Sequence, residues 1–81
     1  MIKRKNKQEQ LTLYILNDDV NSFNDVITTL EMLMGVNMYQ AEQIATLVHY
    51  TGRCAIMSDT RANLEDFAYI LMKHGLNVEI K

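Results

Sequence analysis

Proline is absent from this sequence, cysteine occurs once and glycine three times. The lack of proline, beside a hydrophobic share of 48%, describes a packed globule rather than a disordered chain. The lone Cys54 cannot form an internal disulfide, which fits a reducing cytoplasm. Its setting in an apolar stretch predicts packing, not catalysis. Gly35, Gly52 and Gly75 are scattered, so no glycine-rich loop is available to cradle a phosphate. Long apolar runs are missing too: none approaches a membrane span, and the opening residues carry no signal-peptide pattern.

What charge there is falls unevenly. Residues 1–10 hold four bases, Lys3, Arg4, Lys5 and Lys7, against Glu9. Residues 11–81 hold four bases and nine acids, a net of −5. Such a body is a poor partner for phosphates, so neither nucleic acid nor a membrane surface is expected to bind it. The basic head reads as a flexible, solvated tail over residues 1–10, leaving one small domain over 11–81.

Periodicity supplies the elements. "LTLYIL" (11–16) alternates Leu11, Leu13 and Ile15 toward one face, a strand pattern. After the loop "NDDVNS", Asn21 or Ser22 can cap a helix with Phe23, Val26, Ile27, Leu30, Leu33 and Met34 at spacings of three and four. Gly35 ends it. Asn37 followed by Gln40 is a capping box for a second helix, "MYQAEQIATLVHYT", which Gly52 stops. "RCAIMS" is a strand. Asp59 or Thr60 starts a third helix with Leu64, Phe67, Ala68 and Leu71 on one face, closed by Gly75, before the strand "LNVEI". The order β-α-α-β-α-β implies an α+β two-layer sandwich, a three-stranded antiparallel sheet covered by three helices.

Chemistry is sparse. The two histidines, the cysteine and the acids show no metal-ligand spacing, so no metal or cofactor is expected. No activated nucleophile or oxyanion hole stands out, and a small hydrolase using Asp18 and His49 ranks last among the readings. Two stretches remain. "LNDD" places an amide and two adjacent acids at a strand end, and "LVHYTG" places His49 near a helix C-terminus. Taken singly, turn chemistry, a helix N-terminus and a helix C-terminus explain these residues without any ligand.

Taken in order, the strand ending "LNDD" and the helix ending "LVH" before "TG" resemble the ClpS adaptor family across residues 11–81. The resemblance implies an adaptor, not an enzyme. Such an adaptor binds the free N-terminus of proteins starting with a bulky hydrophobic residue (an N-degron). It delivers them to a ClpA- or ClpC-type AAA+ unfoldase for degradation by ClpP. It implies amine binding by Asn17, Asp18 and His49, with Asp19 in support. It implies a hydrophobic pocket formed by Leu16, Asn21, Phe23, Val26, Ala45, Val48 and Leu76.

The chain departs from the family in three places. Ala45 stands where members usually carry a bulkier residue, often methionine, which predicts a wider pocket unless Phe23 refills it. Asn21 and Ser22 replace the family's Thr-Pro. The link "MSDTRANLED" is shorter than the family segment that docks on the unfoldase, and no docking residue is carried over. The competing reading is a general protein-interaction module on the same fold without an amine pocket, as in the C-terminal domain of the ribosomal stalk protein.

Overall fold

The computed structural model describes residues 9–81. The basic tail expected over residues 1–10 lies almost entirely outside the described residues.

Six elements follow in order: β1 (Leu11–Leu16), α1 (Phe23–Met34), α2 (Met38–Thr51), β2 (Arg53–Asp59), α3 (Arg61–Lys73) and β3 (Asn77–Ile80). Local chemistry sets their ends. Ser22, not Asn21, caps α1, and Ser22 with Asp25 forms a reciprocal capping box. Asn37 and Gln40 form the same box on α2. Thr60, not Asp59, caps α3. Gly35 and Gly52 end α1 and α2 with φ of 68° and 95°, a left-handed backbone that only glycine adopts cheaply.

Both partners of β1 are antiparallel to it, in the order β2-β1-β3. The register on β2 slips between Leu13 and Tyr14, where Ile56 is the extra residue of a bulge. Leu13 and Ile15 point from the central strand into the helices and are fully buried, together with Leu30, Leu64 and Leu71. The helical layer is built unevenly: α1 packs on α2, α2 covers β2, and α3 lies along β3 and reaches β1 and β2. Cys54 is half-buried against the core, and burial pushes its thiol pKa up. The other sheet face is polar. There Arg53 lies 4.7 Å over the Tyr14 ring and 3.7 Å from Glu79, and Thr12 meets Ser58 at 3.2 Å. Among the described residues, no helix is long and apolar enough to cross a membrane.

Candidate functional site

One corner gathers the end of β1, the start of α1, the end of α2 and the α3–β3 turn. The backbone N–H of Asn17 donates to the Gly52 carbonyl at 2.9 Å, which pins the strand end to the α2 cap. His49 sits in the last turn of that helix. Its ring meets the Phe23 ring edge-on, centroids 6.4 Å apart, and the Tyr50 ring at 5.0 Å. Phe23 opens α1, so this contact brings the two helices together above Asn17's end of the sheet.

Asp18 and Asp19 are adjacent in sequence and differ in every other respect. Oδ1 of Asp18 accepts the backbone N–H groups of Val20 (2.9 Å) and Asn21 (2.7 Å). Its Oδ2 accepts Nδ2 of Asn21 (3.0 Å) and Nδ2 of Asn77 (2.9 Å). Asn21 uses its second amide hydrogen on the Gly75 carbonyl at 2.7 Å. Four donors fill the acceptor directions of one carboxylate. The Asn21 backbone N–H does most to hold the Asp18 carboxyl below its ordinary pKa; burial opposes it, and the bonds from the Asn21 side chain, Val20 and Asn77 add to it. Asp18 is thus a clasp that holds the loop against the α3–β3 turn. The side chains of Asn17, Asp19 and His49 are exposed and enter none of these bonds.

Beneath the corner lie apolar side chains. Val26, Ala45, Val48 and Leu76 are 2–6% exposed and belong to the core. Phe23 is half-buried against that core, and Asn21 is half-buried at the rim. A guest side chain reaching these four must displace their cover, and Phe23 is the large ring beside His49. Leu16 stands apart: strand alternation sets it with Thr12 and Tyr14 on the other sheet face, away from the core residues. A separate groove of about 610 Å³ opens nearby, lined by Phe23, Glu42, Gln43, Thr46 and Leu47. The last four were not singled out from sequence. Their signal is there, since Glu42 and Thr46 precede His49 by seven and three residues on one helix face. Among the described residues, no group of three or more His, Cys, Asp or Glu is placed to hold a metal ion.

The fold and this corner define a small α+β domain with an open polar rim over an apolar floor. The family described as "ATP-dependent Clp protease adaptor protein ClpS" matches residues 6–79. The chain belongs to the ClpS family, an adaptor family of the Clp protease. Among solved structures it is similar to that of Agrobacterium tumefaciens ClpS2 bound to L-phenylalaninamide. The TM-score is 0.72 at 13% identity, over 93% of this chain and 100% of that one, which establishes likeness of fold. No curated protein sequence matches the chain.

Proposed function

We propose that this chain is a cytoplasmic, non-enzymatic adaptor that captures proteins whose free N-terminus begins with a bulky hydrophobic residue. It would hand them to a ClpA- or ClpC-type AAA+ unfoldase for degradation by ClpP, without cofactor, nucleic acid or membrane. The observation that carries the reading is a loop clasped by Asp18 and pinned to the α2 cap through Asn17, which leaves the side chains of Asn17, Asp19 and His49 exposed.

An α-ammonium group offers three donors at one carbon. The Asn17 carbonyl, a neutral His49 nitrogen and a carboxylate can accept all three. Asp18 contributes its negative charge and, through its clasp, the loop geometry; Asp19 contributes an uncommitted acceptor. The first side chain enters over Val26, Ala45, Val48 and Leu76 as Phe23 swings aside. Burying a Phe or Leu side chain supplies roughly 1.5–3 kcal/mol. A charge-assisted hydrogen bond supplies about 1.5–3 kcal/mol more. After the association cost this is consistent with affinity on the order of micromolar. A lysine within a chain carries the same charge but cannot place a second side chain in the adjoining floor. The bound phenylalaninamide of the Agrobacterium relative carries both groups on one carbon, which supports the reading.

The near-closure of the four floor residues favours one alternative, a general protein-interaction module with no amine pocket. Peptides that differ only in their first residue, with free and acetylated amines, separate the two. The adaptor binds free Phe-, Leu- and Tyr-starting peptides and loses them on acetylation. A module without the pocket treats all of them alike.

A further inference from the structure

The β1–β3 ladder ends where Leu16 pairs with Asn77. Past that pair, β1 runs into the rim loop that carries Asn17 and Asp19, and β3 is preceded by the turn that carries the floor residue Leu76. Rim and floor therefore lie on segments remote in sequence, beyond the reach of the ladder. A ligand with its ammonium group and side chain on one carbon needs the two at a fixed separation.

The loop has no proline to stiffen it. The N–H groups of Val20 and Asn21 shape it around Asp18 Oδ1 but do not attach it to the turn. Among the described residues, that attachment falls to two asparagine amides. Nδ2 of Asn21 donates to Asp18 Oδ2 at 3.0 Å and to the Gly75 carbonyl at 2.7 Å. Nδ2 of Asn77 donates to the same Oδ2 at 2.9 Å. The bonds grip the turn on both sides of Leu76, which is 3% exposed and whose N–H donates to the Leu71 carbonyl at 3.1 Å. Leu76 is thus fixed to α3 from behind, and the rim is fixed to Leu76's two neighbours in front. Hydrogen bonds hold donor and acceptor within a few tenths of an ångström, so the amides set the height of the rim over the floor. On the α2 side a backbone bond, Asn17 N–H to the Gly52 carbonyl, holds the loop whatever the side chains are.

We infer that Asn77, acting with Asn21 through Asp18, is a positioning residue that sets the rim over Leu76 and so makes the site select ligands whose amine and bulky side chain share one carbon. The inference rests on the corner being a free-N-terminus site. The test compares L-phenylalaninamide with 3-amino-2-benzylpropanamide, which keeps the benzyl and amide groups but moves the amine one carbon away. Calorimetric titrations of the full-length protein, Asn77→Ala and Asn21→Ala are run well below their unfolding midpoints. Wild type prefers phenylalaninamide by about tenfold or more, the loss of one charge-assisted bond. Asn77→Ala lowers that preference by about three- to tenfold, and Asn21→Ala, which lacks two of the bonds, lowers it at least as far. An unchanged ratio in Asn77→Ala overturns the inference even where both affinities fall together, since a purely structural role does that. Equal binding of the two ligands by wild type also overturns it. Failure of wild type to bind phenylalaninamide overturns the reading of the corner itself.

Discussion

Nδ2 of Asn77 donates to Oδ2 of Asp18 at 2.9 Å, joining residues 59 apart in sequence. Between Asn77 and Gly75, whose carbonyl takes the Asn21 amide, sits the buried Leu76. The bond thus couples the polar rim to one residue of its apolar floor. Asn77→Ala removes one exposed hydrogen bond and should cost about 0.5–1 kcal/mol. Asp18→Ala strands four donors and should cost about 2–3 kcal/mol. Urea unfolding of both variants checks the order; equal losses would show that the Asn77 bond alone holds the loop.

Acid should undo the same loop. The Asp18 carboxyl is held below its ordinary 3.8, chiefly by the Asn21 backbone N–H. That of Asp59 is held down by the Thr60 N–H and the Asn63 amide at the start of α3. A folded-state pKa below the unfolded one means that the unfolded chain takes the proton more readily. The stabilisation is therefore complete above the unfolded value and disappears as pH falls through the folded one. Thermal unfolding should show a stability plateau near neutrality and a decline below about pH 4. In Asp18→Asn the plateau should be lower and the decline shallower. A decline as steep as in wild type would assign it to other carboxylates.

Truncating the exposed acceptors separates recognition from stability. Asn17→Ala and His49→Ala should each weaken capture of Phe-starting peptides by about tenfold or more, the loss of one charge-assisted bond. Both side chains are exposed, so unfolding should shift little. Anisotropy titrations of a labelled peptide measure both; an affinity indifferent to His49→Ala takes His49 out of the site.

Much of this architecture is legible in the chain because it is locally determined. Asn37 and Gln40 stand three apart and meet across one turn, and Gly35 and Gly52 mark left-handed caps. The alternation of Leu13 and Ile15 gives the buried face of β1. The clasp is not legible, since nothing near Asp18 in sequence announces Asn77. Nor is the division of labour between Asp18 and Asp19: two adjacent acids look alike until the turn directs the N–H groups of Val20 and Asn21 at the first. The face that Leu16 takes is not legible for a related reason. It is apolar and next to Asn17, yet strand alternation turns it to the far face.

On the proposed reading, Phe23 and Ala45 together set what the floor admits. Ala45 is 2% exposed, and Phe23 is half-buried beside the His49 ring. If Phe23 is a gate, Phe23→Ala should lower stability by about 1–2 kcal/mol, a partial loss of aromatic burial. It should tighten binding of L-phenylalaninamide, because nothing then needs to be displaced. Ala45→Met should narrow the opened space and selectively remove peptides starting with Ile or Val, which branch close to the backbone, while retaining those starting with Phe or Leu. The stability of Ala45→Met is itself informative. A methionine forced into a filled core costs about 1–3 kcal/mol, whereas one that takes the guest's place costs little. Calorimetric titration with phenylalaninamide and a first-residue peptide panel decide the matter: weaker phenylalaninamide binding by Phe23→Ala would make Phe23 a wall of the pocket rather than its door.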